Sequence, residues 1–285
     1  MSLTLETIQH ESELGCWEYV FGRPRPGVAA FVNHYQGYVE RHTGFQRRRE
    51  YPRPNSSVIL NFGDALRITN PVTGTSVDAE QSFVAGLSDY YVTTESLGLS
   101  YGIEINFTPI GAYAFLSLPT DAFADHLFTL GDVLGPCADL LTEQVASAPD
   151  WQQRFEIVDN FVAGRLASAP SPSRQIAGAY AALDQSGGRC SVASLAAEAG
   201  WSEKHFVDRF REQVGQTPKT MGRIIRFDRA LKLLRTPGAT LGDVVFEAGY
   251  YDQSHMNRDF RQFTGNPPTD FLRLSLPKGA GLRDS

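Results

Sequence analysis

The strongest constraint on this chain is that residues 198–215 and 247–265 carry nearly the same text twice. EAGWSEKHFVDRFREQVG is answered by EAGYYDQSHMNRDFRQFTG, and from His205 and His255 onward the copies keep a constant offset of 50. Phe210, Arg211, Gly215 and Pro218 answer to Phe260, Arg261, Gly265 and Pro268, with one residue inserted in the second copy's turn. Two copies are too few for a solenoid but enough for two equivalent units on one domain. In each, a small-residue stretch, 192–199 or 241–248, reads as a helix ended by Gly200 or Gly249, where left-handed backbone costs glycine little. Ser202 and Asp252 suit the N-cap of the helix that follows. Thr240 and Asp243 have capping-box spacing. Trp201 and Tyr251, ahead of those caps, have hydrophobic-staple spacing to Phe206 and Met256. Helix, tight glycine turn and helix make a helix-turn-helix unit.

The second helix of each unit has two faces. Phe206, Phe210 and Val214 share one, as do Met256, Phe260 and Phe263. The opposite face carries Lys204, Val207, Asp208 and Arg211 in the first copy, and Ser254, Asn257, Arg258 and Arg261 in the second. Ordinary amphipathic helices with solvated outer faces show the same pattern. The doubling, with caps and staples in register, points instead to DNA reading.

Residues 249–260, GYYDQSHMNRDF, followed by Gly265, Pro268 and Phe271, resemble the AraC/XylS-type DNA-binding domain, with Met256 where that family usually has an aromatic. The resemblance covers about 100 residues, the size of a small domain. It implies two helix-turn-helix units joined by a long helix, the second helix of each entering successive major-groove segments. It implies Lys204, Val207 and Asp208 as the reading face of the first unit, and Ser254, Asn257 and Arg258 as that of the second. Arg258 can bond guanine O6 and N7, Asn257 adenine N6 and N7, and Val207 a thymine methyl. Asp208 could accept from cytosine N4 or pair with Lys204 at i, i+4. Arg211 and Arg261, a turn further on, read as phosphate contacts that position without specifying. His205 and His255 read as structural, not as metal ligands. Residues 221–234 read as the joining helix, with Ile224, Ile225, Leu231 and Leu234 buried and Arg223, Arg226, Arg229 and Lys232 outward. Two reading helices need about 34 Å between centres on one side of B-DNA, which a rigid helix sets better than a loop.

The net charge of −6 argues against nucleic acid only if it is uniform. Residues 1–170 carry ten Lys and Arg against twenty Asp and Glu, or −10; residues 171–285 carry sixteen against twelve, or +4. An acidic body with a basic nucleic-acid domain fits that asymmetry. The odd, scattered Cys16, Cys137 and Cys190 make neither a disulfide framework nor a zinc pattern, which points to a reducing cytoplasm. No apolar run is long enough to span a bilayer, and MSLTLETIQHESE has no basic apolar leader.

Residues 1–13 read as polar and loose. From Trp17 to Phe107, short apolar runs recur between turn signals, as in a sandwich or barrel. In 100–107, Tyr101, Ile103, Ile105 and Phe107 point one way and Gly102, Glu104 and Asn106 the other, as in a barrel wall lining a site or an edge facing solvent. Residues 131–146 and 150–167 read as two helices. Their apolar stripes (Leu134, Ala138, Leu141 and Val145; Trp151, Phe155, Val158, Phe161, Val162 and Leu166) suit packing on their own barrel or a dimer face. Residues 102–119, GIEINFTPIGAYAFLSLP, resemble the sensor half of a subgroup of actinobacterial AraC-type regulators, which often carry a cupin-like barrel. No cupin-like His-x-His metal pattern is present, and His34, Glu40 and His42 read as surface polar residues around a turn. Arg47 and Arg49 alternate with Phe45 and Tyr51, and arginine among aromatics can hold a carboxylate or lie outside beside Glu50. Arg47, Arg49, Tyr101 and Glu104 are the effector-binding candidates.

The fold expected is therefore an α+β N-terminal domain, β-barrel or cupin-like with C-terminal helices, followed by an all-α double helix-turn-helix domain. The boundaries read as 1–167, a linker at 168–173 within the run ASAPSPS (167–173), 174–276, and a tail at 277–285. The function expected is a DNA-binding transcription regulator controlled by a small-molecule effector, with no cofactor, metal or catalytic residue. Its partners would be operator DNA, the effector, a second copy in a homodimer, and RNA polymerase if it activates. The alternatives are a cysteine-dependent enzyme fused to a helix-turn-helix domain, and a decoy that dimerises with other regulators.

Overall fold

The computed structural model describes residues 3–12, 15–42, 47–96, 98–123, 127–169, 171–275 and 282–283. The strands, in chain order, are β1 (Leu5–Ser12), β2 (Gly15–Gly22), β3 (Val32–His42), β4 (Arg47–Glu50), β5 (Ser56–Asn61), β6 (Leu66–Thr69), β7 (Ser76–Ala79), β8 (Phe83–Ala85), β9 (Val92–Ser96), β10 (Ser100–Phe107), β11 (Phe128–Thr129) and β12 (Leu282–Arg283). They form two antiparallel sheets, a seven-stranded one ordered β1-β2-β3-β10-β5-β8-β11 and a five-stranded one ordered β12-β4-β9-β6-β7. The residues read as a loose N-terminus are not loose over Leu5–Ser12, which pairs along its length with β2. Backbone pairing holds a polar strand that has little apolar surface to offer.

Period-2 alternation gives the larger sheet two different faces. Val20, Tyr35, Val58, Leu60, Ile103 and Phe107 point into a core closed by helices. Tyr19, Tyr38, Glu40, Ser57, Ile59 and Glu104 point the other way, into a cavity between the sheets. The helices over the first face are α1 (Pro109–Leu116), α2 (Leu130–Leu134), α3 (Cys137–Ser147) and α4 (Trp151–Ser168). The stretch read as one helix over 131–146 is broken, because Gly135 takes a φ of 62° and Pro136 follows it. Leu134, Ala138, Leu141, Val145, Phe155, Val158 and Val162 all lie in the core on the larger sheet, so both stripes are used there. Asp150 caps α4 through Gln153 N–H.

The rest is helical: α5 (Arg174–Gln185), α6 (Val192–Ala199), α7 (Glu203–Val214), α8 (Pro218–Leu234), α9 (Leu241–Ala248), α10 (Gln253–Thr264) and α11 (Pro268–Leu274). Helix α8 serves two cores. Met221 and Ile225 pack with Phe206, Phe210 and Val214. Ile224, Phe227, Leu231 and Leu234 pack with Met256, Phe260 and Phe263. The residues read as a C-terminal tail return to the fold at Leu282–Arg283, where they pair with β4, and Leu282 is fully buried in the second of these cores. Burial of one leucine and two residues of strand pairing explains why that short segment is held.

Candidate nucleic-acid interface and internal cavity

Both helix-turn-helix units are built as their caps require. Ser202 Oγ accepts from His205 N–H, and Asp252 Oδ1 accepts from His255 N–H at 2.7 Å. Thr240 and Asp243 close a reciprocal capping box. Trp201 packs with Phe206 in the first core. In the second unit the inserted residue changes the outcome. Tyr251, expected as the staple, is 92% exposed, and Tyr250, directly after Gly249, is buried instead. Tyr250 is therefore the counterpart of Trp201. Each meets the histidine of its reading helix edge-on, Trp201 with His205 at 4.9 Å and Tyr250 with His255 at 5.2 Å.

On α7, Lys204, Asp208 and Arg211 are exposed and Val207 is half-buried; on α10, Ser254, Arg258 and Arg261 are exposed and Asn257 is half-buried. The expected reading residues thus share the outward faces of equivalent helices. Among the ion pairs of the described residues, none joins Lys204 to Asp208. Arg211 lies 3.7 Å from Asp121 of the β-rich half, so it faces that half as well as solvent. Asp259, buried on α10, is fixed by Arg223 of α8 at 2.8 Å.

The β-rich half holds both reading helices at their C-terminal ends. Thr120 Oγ1 donates to Glu212 O in the last turn of α7 at 3.0 Å, and Gln216 Nε2 donates to Leu87 O at 3.0 Å. Arg49 donates to Thr264 O, the last residue of α10, at 3.1 Å and lies over the Tyr91 ring. Gln262 Nε2 donates to Asp89 O at 2.9 Å. Gly265 ends α10 at a φ of +77°, left-handed backbone that glycine adopts without strain. Three side chains from the β-rich half, Tyr51, Leu87 and Ile110, enter the helical cores outright. Tyr51 packs edge-on to Phe227 and Phe271 in one, and Leu87 packs in the other.

The cavity between the sheets has a volume of about 410 Å³. Leu66, Ile68, Val77, Val92 and Thr94 of the smaller sheet face Tyr19, Tyr38, Ile59, Phe83 and Glu104 of the larger. Tyr51 and Leu87, two of the side chains shared with the helical cores, also line it. Of the expected effector residues, Glu104 lines the cavity; its Oε1 accepts from Ser57 at 2.5 Å and Asn106 at 3.2 Å. Arg47, Arg49 and Tyr101 do not line it. Arg47 pairs with Glu95, Arg49 holds α10, and Tyr101 packs against Phe62 and Trp151. Phe45 and the His42 side chain lie outside the described residues. Glu40, expected at the surface, is buried; it pairs with Arg48 at 2.8 Å and accepts from the Tyr19 hydroxyl at 2.7 Å. Burial, reinforced by Glu40, pushes the Tyr19 hydroxyl pKa well above its ordinary value. Sequence reasoning missed Glu40, Arg48, Glu50, Arg53 and Thr94.

Residues 195–274 match the family model of a helix-turn-helix domain, and residues 22–129 match that of a domain of unknown function, DUF6597. The uncharacterized HTH-type transcriptional regulator YbfI of Bacillus subtilis is 34% identical over 92 residues, which are 32% of this chain and 33% of that protein. A putative AraC-like transcription regulator of Streptomyces lividans is 32% identical over 120 residues, 42% of this chain and 39% of that protein. The matched stretch spans between a third and two fifths of these relatives. Among solved structures, ToxT from Vibrio cholerae is similar at a TM-score of 0.48 and 10% identity, over 96% of this chain and 98% of that one. That likeness is too distant to carry an argument. The doubled unit, its caps and these matches agree: residues 195–274 form a helix-turn-helix domain similar to that of AraC-like transcription regulators.

Proposed function

We propose that the chain is a one-component transcription regulator. The helical half binds operator DNA through α7 and α10, and the cavity between the sheets takes a small-molecule effector. The observation that carries this reading is the pair of equivalent outward faces, Lys204, Val207 and Asp208 on one helix and Ser254, Asn257 and Arg258 on the other. Arg261 meets backbone phosphate, and Arg211 does so if Asp121 releases it. Effector control is supported by the shared side chains: Tyr51 and Leu87 line the cavity and each packs in one helical core. A ligand that shifts either residue changes how a reading helix is held, and so favours one DNA-binding state over another.

The protein works in the cytoplasm as a homodimer and meets RNA polymerase where it activates. Because the α3 and α4 stripes are used in the core, pairing falls to outer surface such as that around exposed Leu140. Among the described residues no helix is long and apolar enough to cross a membrane. The test is fluorescence anisotropy of the full chain on DNA from its own promoter and on scrambled DNA, across a salt series. Affinity for both that falls steeply with salt, with excess affinity for promoter DNA, is expected. Equal binding to both sequences counts against the reading.

A further inference from the structure

We propose that the ligand of the cavity is an organic cation, a protonated amine or quaternary ammonium group on an apolar body. This rests on the reading of the cavity as the effector site. Four carboxylates line the space, Glu40, Glu50, Asp64 and Glu104, against two guanidinium groups, Arg48 and Arg53. Arg48 and Glu40 close on each other, with the Tyr19 hydroxyl on the same carboxylate. Asp64 accepts from Leu99 N–H at 2.7 Å near the rim. That leaves Glu50 and Glu104 facing Arg53. Among the described residues no ion pair holds either carboxylate, and the donors on Glu104, Ser57 and Asn106, are neutral. Crowding by protein disfavours the Arg53 charge; Tyr51, Glu50 and Glu104 more than restore it, although the residue keeps an exposed surface. The balance in this part of the cavity is one carboxylate in excess. A carboxylate ligand adds to the repulsion, and a cation cancels it.

One further feature fits a cation. Tyr19, Tyr38, Tyr51 and Tyr90 line the same space, and tyrosine ring faces attract ammonium groups. Ile59, Leu66, Ile68, Phe83 and Val92 offer the apolar wall for the body of the ligand. The volume, about 410 Å³, lies within the range of small-molecule sites.

The test uses the full chain and three probes that differ only in head group: phenylbutylamine, phenylbutanol and phenylbutyrate. Isothermal titration calorimetry is expected to rank the amine first, by about tenfold or more. The near-isosteric double variant Glu50→Gln, Glu104→Gln removes that preference, and Glu50→Gln alone reduces it, which keeps the test open if the double variant does not fold. If the butyrate or the alcohol binds as well as the amine, the cation assignment falls and the cavity reading stands. A preference unchanged in both variants also overturns it, by placing the amine elsewhere. If none of the three binds, both the assignment and the cavity reading fail. If the amine binds in the cavity while operator affinity measured in parallel does not move, the ligand class holds and effector control fails.

Discussion

Arg258 and Asp259 are neighbours on α10 with opposite tasks. Arg258 is exposed at the reading face, and replacing it with Ala is expected to relax base choice at one operator position at a cost of about 1–3 kcal/mol. Competition with single-base operator variants measures this, and wild-type discrimination would count against the role. Asp259 is buried against Arg223. Arg223→Ala leaves that carboxylate without its partner, and the loss of stability is expected to be about 3 kcal/mol or somewhat less, since Arg223 keeps some exposure. Denaturant titration measures it, and a loss indistinguishable from zero would mean that the pair is screened. The exposed residue was legible from the repeat. The buried pair was not, because nothing in a single helix says which carboxylate will meet an arginine 36 positions away.

The elements followed local grammar wherever local chemistry decides them. Ser202, Asp252, Thr240 and Asp150 all cap as their types and spacings require. Thr240, by side-chain and then backbone hydrogen bonds, holds the Asp243 carboxyl below its ordinary pKa. A lowered folded-state pKa gives stability that is present above the unfolded value and lost as pH falls through the folded one. The expected outcome is an acid-side decline in melting temperature that Asp243→Asn makes shallower; identical profiles would remove the cap from the account. Strand β4 went the other way. The reading that grouped Phe45, Arg47, Arg49 and Tyr51 on one face put Arg47 and Arg49 toward the ligand, whereas Arg48 and Glu50 line the cavity. A period of two makes any error of parity complete. In a four-residue strand of Arg-Arg-Arg-Glu, no apolar residue marks the inward side.

For the whole molecule, the two halves share cores as well as a boundary. Tyr51 lies in the core of the second helix-turn-helix unit, and its hydroxyl accepts from Arg235 at 3.1 Å. Tyr51→Ala is expected to cost about 3 kcal/mol or more, as for large aromatic truncations, and to weaken effector response along with stability. Differential scanning calorimetry with and without ligand reads both; a variant that melts like the wild type would show that the residue is only a contact. The same sharing means that a fragment of residues 171–285 lacks Tyr51 and Leu87 from its cores, and it is expected to melt below the full chain.

The sequence by itself determined the helical half nearly in full. The repeat, the caps and the 3.6-residue stripes are local signals, written within a turn or two of the structure they specify. It also determined that the N-terminal half is β, through alternation and turns. Which strand faces line a cavity, that β4 carries Arg48 and Glu50 inward, and that Leu282–Arg283 returns to pair with β4 were decided only by tertiary packing. So were the holds of Thr120 and Arg49 on the ends of α7 and α10. These depend on contacts between residues about 90 to 215 positions apart, and such contacts leave no periodicity in the chain that makes them.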